Sequence, residues 1–343
     1  MNFALSAEQQ QFAASLHDML AAADCPAGVR SWAAGDRKAG LEIWRSLADA
    51  GVTGLMVAAG HGGLGADPVD LVIACEEIGH HAVPGPVAES IAAVPVLLAA
   101  VGGETWLPAL ANGDLIATLA APPWLPFAAD ADVAGLVLLG LEAAGGPGGS
   151  SPRADTATLA RGVTGRTYHS VDAARTLTEV TAGEPIASGP HVAAALATAL
   201  DFGALACAAE LLGAGRALLE QTAGHARQRV QFGQPVGSFQ AVKHHLADAL
   251  IGLEFARPLL FGAAVALAGG SADARRDVSA AKVACADAAS RAARTALQVH
   301  GAIGYTAEHD ISLYLTRVRA LVPAWGSQSE HRARVLAALT AGD

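Results

Sequence analysis

The sequence predicts a mainly helical protein with a small β segment between two helical parts, and three observations carry that prediction. Residues 1–113 show apolar residues at helical spacing. Residues 114–189 break into short β-like runs. Residues 190–343 return to the helical pattern and keep it to the end. The expected architecture is an N-terminal helical domain (1–113), a reduced middle β domain (114–189) and a C-terminal helical bundle (190–343).

The first helix is announced by Ser6 with Gln9 three residues later, a capping box, after which Phe12, Leu16, Met19 and Leu20 repeat at helical spacing. Trp44, Leu47 and Ala48 continue a helical pattern that Gly51 stops. The run GHGGLG at 60–65 is a glycine loop. Without a following Lys-Ser/Thr it reads as a tight turn rather than a phosphate cradle. A helix is expected from Pro68 through Glu76, Glu77 and Ile78 to Gly79, and another over 86–101. The runs LIATLAAP and VAGLVLLG, and the stretches 157–164 and 175–181, are short and punctuated by Pro, Gly and Asp, as strands are. GGPGGSSPRAD at 145–155 reads as a flexible loop. In the last part, Gly224 and the run from Gly233 to Gly237 are expected to break the helical pattern, and GGSAD at 269–273 is a helix–helix turn.

Composition narrows the function classes. The chain has 343 residues, of which 52% are hydrophobic and 5% aromatic. A core of Ala and Leu suits closely packed helices, since Ala loses no rotamer entropy. The net charge is −10 and no basic cluster is visible, so nucleic acid is not an expected partner. Cys25, Cys75, Cys207 and Cys285 are far apart and form no CxxC pair, which excludes a zinc ribbon or redox dithiol. His244, His245, His300 and His309 lack any H-E-x-x-H spacing, so no metal site is expected. The N-terminus lacks the basic and apolar regions of a secretion signal. The long apolar run at 190–215 carries Asp201, Glu210 and several glycines. A buried bundle helix in a cytoplasmic protein is expected there, not a membrane span.

Two segments carry a family resemblance. His225–Ala247 reads HARQRVQFGQPVGSFQAVKHHLA, and 298–321 reads QVHGAIGYTAEHDISLYLTRVRAL. The first resembles the RxxFGxPxxxxQ signature of acyl-CoA dehydrogenases, the second their QxxGGxGY region. FALSAEQQQF, WRSLADAGVTGL and HGGLGADPVDLVIACEEIG follow the family's N-terminal order. The resemblance implies the family's helical–β–helical-bundle fold, FAD as cofactor, and assembly into oligomers. In such enzymes the flavin takes a hydride from Cβ of an acyl thioester and a carboxylate takes the Cα proton.

By this resemblance, Arg229 reaches into the neighbouring subunit and pairs with the FAD pyrophosphate, a match between a guanidinium fork and phosphate oxygens. Phe232 packs on the same cofactor, and Gln240 belongs to the same stretch. Gln298, Gly301 and Ala302 resemble the part that meets its adenosine end, with Ala302 in place of the family's second glycine. The parts that would build this chain's own active site are absent. AWGSQSEH at 324–331 puts Trp325 where most members carry the catalytic glutamate, and the alternative base position on the first bundle helix is Gly203. Glu210, seven residues further on, is a candidate relocated base, ahead of Glu330. Residues 118–132, TLAAPPWLPFAADAD, contain no TEPxAGSD-like loop.

The expected role is therefore the non-catalytic partner subunit of a heteromeric acyl-CoA dehydrogenase. It would complete the FAD site of a full-length paralogue in a heterotetramer and act on an acyl-CoA, with electron-transfer flavoprotein as acceptor. Some actinobacterial members acting on steroid side chains resemble this arrangement of one full and one short subunit. The alternatives are an active homo-oligomer using Glu210 and a cofactor-free scaffold of the same fold.

Overall fold

The computed structural model describes residues 5–142 and 156–341. The glycine-rich stretch 145–155 lies outside the described residues.

The N-terminal part is helical throughout. Helix α1 (Ala7–Ala22) begins at the Ser6–Gln9 capping box, and α4 (Pro68–His80) begins at a second box made by Asp67 and Asp70, with proline in its first turn. Between them lie α2 (Cys25–Ala33) and α3 (Lys38–Asp49), whose buried Trp32, Ile43, Trp44 and Leu47 form one wall of the core. Helix α3 ends just before Gly51, which adopts φ 78°, the left-handed geometry that closes a helix. The helix expected over 86–101 is a π-helical turn at Ala88–Ala93 running into α5 (Val94–Val101), followed by the short α6 (Leu107–Ala111).

The strands form one mixed sheet of order β1-β3-β4-β5-β2. β3 (Leu136–Glu142), β4 (Ala157–His169) and β5 (Thr176–Gly189) make an antiparallel meander. β1 (Ala117–Ala120) adds parallel to β3, and β2 (Ala128–Ala129) adds antiparallel to β5. Leu138 and Leu159 point from this sheet into the core shared with the helices.

The C-terminal part is built on three long helices: α7 (Pro190–Gln228), α8 (Gln240–Ala268) and α9 (Ala274–His300). α10 (Ile311–Leu321) lies against α7 and α9, and α11 (Gln328–Thr340) against α9. Gly224 does not break α7. The helix runs through it to Gln228, because one internal glycine costs only about 1 kcal/mol relative to alanine and the rest of α7 is well packed. The break falls at the hairpin of β6 (Val230–Gln231) and β7 (Gln234–Pro235). By length and composition α7 and α8 could each cross a membrane, but the apolar window of α7 is 67% buried inside the fold, that of α8 only 33%.

Buried ions fasten the three parts together. Arg317 on α10 pairs with Asp172 in the β4–β5 turn at 2.8 Å. Arg175 of the same turn stands 4.0 Å from Glu89 on the π-helical turn. Lys282 on α9 donates to the carbonyls of Leu321 and Val322 at the end of α10. Charges this deep are tolerable only when paired or hydrogen-bonded.

Candidate active site and cofactor-facing surface

Trp325 and Gly203, the two residues that the resemblance aligns with the family's base positions, meet in space. Trp325 is 2% exposed, and its indole lies directly on Gly203 of α7, so that any Cβ at 203 would overlap three ring carbons. Gly203 is thus the only residue type that admits the tryptophan. The turn that delivers Trp325 has positive φ at Trp325 (61°) and at Gly326 (97°). The Trp124 ring covers Gly326, with 2.6 Å left to a Cβ placed there.

His331 locks this turn. Its Nε2 lies 2.9 Å from the Trp325 carbonyl and its Nδ1 3.1 Å from the Ser279 hydroxyl. A carbonyl only accepts, so Nε2 carries the proton and Nδ1 accepts from Ser279. Burial pushes the imidazole down to about 4, which keeps it neutral. Trp124 meets His331 edge-on at 5.4 Å, and the Arg334 guanidinium sits over Trp124 at 5.0 Å. Arg334 and Arg275 both pair with buried Asp201, at 2.5 and 2.9 Å. Aromatic rings and spoken-for charges therefore fill this place, and neither Trp325 nor Gly203 can take a proton from a substrate carbon.

The remaining acids are placed otherwise. Glu330 caps α11, accepting from the backbone and hydroxyl of Ser327 at 2.7 and 2.6 Å. Glu210 lies about 10 Å along α7 from Gly203, at seven residues of 1.5 Å rise. It is buried where α7 crosses α4, its backbone pressed against Gly79. Burial raises its carboxyl to about 7, against the lowering pull of Arg317.

The cofactor-type residues form a different kind of surface. Arg229, Gln240, Gln298, Gly301 and Ala302 are all exposed, and Phe232 is 93% exposed. Phe232 and Gly233 are the two central residues of the β6–β7 turn, with φ 53° and 80°. Positive φ at both positions is the type I′ hairpin geometry, uncommon for a phenylalanine, and it holds the ring out from the chain. At the end of α9, Gly301 takes φ 65°, and a Cβ there would meet nothing within 4 Å. Sequence gave no sign of what joins the two segments. His225, one turn before Arg229, stacks on His300, beside Gly301, at 4.2 Å, and so sets the ends of α7 and α9 side by side. Next to this surface a cleft of about 470 Å³ opens between α9 and α10, with Arg294, Tyr305 and Arg319 on its lining.

Trp124, Ser279 and His331 were not singled out by the sequence. Only Trp124 offered a signal, as an aromatic inside the segment where the family's loop is missing.

Two profiles match the chain: "Acyl-CoA dehydrogenase, N-terminal domain" over residues 6–114 and "Acyl-CoA dehydrogenase, C-terminal domain" over residues 173–340. The chain belongs to the acyl-CoA dehydrogenase family.

Members of this family are FAD-dependent oxidoreductases. Acyl-CoA dehydrogenase IpdE2 of Mycobacterium tuberculosis is 31% identical over 316 residues, covering 90% of each chain. In the ChsE4–ChsE5 complex from the same organism, one chain superposes with a TM-score of 0.82 at 25% identity, covering 99% of both chains. The Tcur3481–Tcur3483 steroid ACAD shares the fold, with a TM-score of 0.82 at 22% identity and 98% coverage of both chains.

The exposed set fits one face of an FAD site. It offers a guanidinium for phosphate oxygens, an aromatic ring for a flat partner, an amide, and bare backbone at Gly301 that no side chain obstructs.

Proposed function

We propose that this chain is the partner subunit of a heteromeric acyl-CoA dehydrogenase. It offers one face of an FAD site to a full-length paralogue, which supplies the base and the acyl-CoA pocket. The observation that carries this reading is the Trp325 indole seated on Gly203, which fills both of the family's base positions at once. An exposed cofactor-type surface on the same chain supports it. The likeness to a chain of the ChsE4–ChsE5 complex agrees with a two-subunit assembly, and the likeness to a steroid ACAD favours a bulky acyl-CoA such as a steroid side-chain thioester.

When bound, FAD supplies the acceptor for the hydride leaving Cβ of the thioester. This chain's residues bind and orient. Arg229 neutralises the pyrophosphate, Phe232 covers the cofactor and shields it from water, and Gln240, Gln298, Gly301 and Ala302 hold the rest of its length. The proton from Cα goes to the paralogue's carboxylate. The complex works in the cytoplasm and passes electrons to an electron-transfer flavoprotein.

The test is flavin content. The chain purified alone is expected to be colourless and inactive. Purified with its paralogue, it is expected to form a yellow complex that oxidises acyl-CoA. Arg229→Ala in that complex should lower flavin occupancy, and unchanged occupancy would sink the proposal. A yellow, active lone chain would favour the second reading, in which Glu210 is the base. That reading would draw on the burial of Glu210, which raises its carboxyl to about 7, a range that suits a general base.

A further inference from the structure

A second cluster of side chains stands on the N-terminal helices. His17 of α1 meets Glu77, His80 and His81 at the end of α4, and one donor atom from each lies within 4.8 Å of all the others. The three imidazoles surround a common point, with ring centroids 5.1, 4.8 and 5.0 Å apart. His17 Nδ1 lies 2.9 Å from Glu77 Oε2 and 3.3 Å from His81 Nε2. Ligands held at 2.0–2.1 Å by a tetrahedral zinc ion stand about 3.3–3.4 Å from one another, so these spacings are close to those of ligand edges.

Hydrogen bonding alone leaves this cluster unfinished. His80 Nε2 is 2.9 Å from Glu220 Oε2 of α7. The carboxylate accepts, so Nε2 carries a proton, and Nδ1 is the ring atom that could serve as a ligand. That Nδ1 is buried and has no hydrogen-bond partner. Buried polar atoms without partners are uncommon in folded proteins. A ligating histidine whose other nitrogen donates to a carboxylate is the usual support arrangement around a bound metal. His17 Nδ1 faces a carboxylate and another ring nitrogen, and one N–H cannot point well at both. A cation between the three would satisfy every lone pair.

We propose that His17, Glu77, His80 and His81 bind a divalent transition-metal ion of the zinc type. Glu220 is the positioning residue for His80. Four protein ligands leave no open position, so the site is structural: it fastens α1 to α4. The sequence carried a partial signal, Glu-x-x-His-His at 77–81, but its completing ligand His17 is remote. The other histidine cluster, His225, His300 and His309, fits less well. His309 Nδ1 accepts from the Ile311 N–H at 3.3 Å, which leaves the proton on Nε2 and no lone pair to offer there.

The full-length protein, stripped with a chelator and re-equilibrated with Zn²⁺, is expected to retain one zinc per chain by elemental analysis. Its melting temperature should rise with added Zn²⁺. With Co²⁺ in its place it should show the intense visible bands of a tetrahedral N/O site. His17→Gln and His81→Gln, both at partly exposed positions, should lose the stoichiometric ion and its thermal shift. Glu220→Gln should weaken binding by about 10–100-fold. The proposal is overturned if no zinc is retained, or if His17→Gln and His81→Gln keep it. It is equally overturned if His225→Gln is the variant that loses the ion.

Discussion

Glu210 is a carboxyl that the folded state prefers protonated, and this has a measurable consequence. Burial raises it from 4.5 to about 7, and Arg317, Arg175 and Lys282 only partly offset that rise. Below pH 4.5 the carboxyl is protonated in both folded and unfolded chains and contributes nothing. Between pH 4.5 and 7 the unfolded chain releases the proton while the folded chain keeps it, so stability falls as pH rises. Above pH 7 the loss is complete, on the order of a few kcal/mol. Glu210→Gln should therefore raise the urea midpoint at pH 8 and leave it nearly unchanged at pH 4.5. An unaltered midpoint at pH 8 would show that Glu210 is solvated in the folded protein. The sequence resemblance aligned Trp325 and Gly203 with the family's base positions, but their contact was not legible in it. More than a hundred residues separate them, and a glycine's reason for being there appears only when the ring that needs its missing side chain is packed upon it.

At the scale of elements, α4 and α7 cross through glycines. A Cβ on Gly79 would overlap the Glu210 backbone, and one on Gly213 would overlap the Glu76 carbonyl. Neither helix can give way, since both are buried along this face. Gly224, on the same α7, has open space around it. The two positions should respond with opposite sign. Gly224→Ala is expected to stabilise by about 0.5–1 kcal/mol through helix propensity alone. Gly213→Ala should destabilise by about 1–3 kcal/mol or more, because overpacking outweighs that gain. Thermal melts of the two variants against the parent chain check both signs. The start of α1, at its capping box, and both ends of α4 were readable from sequence to within a residue or two. The π-helical turn at 88–93 was not, because its sequence, AESIAA, does nothing to tell a π turn from an ordinary α-helical one. β2 is two residues long, too short for alternation to show.

At the scale of the whole molecule, the order of helices, strands and helices was legible because the hydrophobic period changes along the chain. What the bundle turns outward was not. Ile251, Phe255 and Leu259 recur every four residues on α8, which places them on one face, and all three are exposed, Phe255 at 72%. Sequence alone shows such a stripe as core. Only the fold reveals that α7 and α9 cover the other side of the helix. A continuous apolar face of this kind on a water-facing helix marks an interaction surface, and the proposed heteromeric assembly supplies a reason for it. If α8 packs against another subunit, Phe255→Lys places a charge in a dry contact, which costs several kcal/mol when unpaired. The variant should still fold, since the residue touches solvent in the lone chain. It should fail to co-purify with its paralogue, and light scattering should report a smaller particle. Flavin content and acyl-CoA oxidation should fall with the assembly. A Phe255→Lys complex of unchanged mass would place the subunit contact elsewhere on the molecule, while leaving the roles proposed for Arg229 and Phe232 to be judged by flavin occupancy alone.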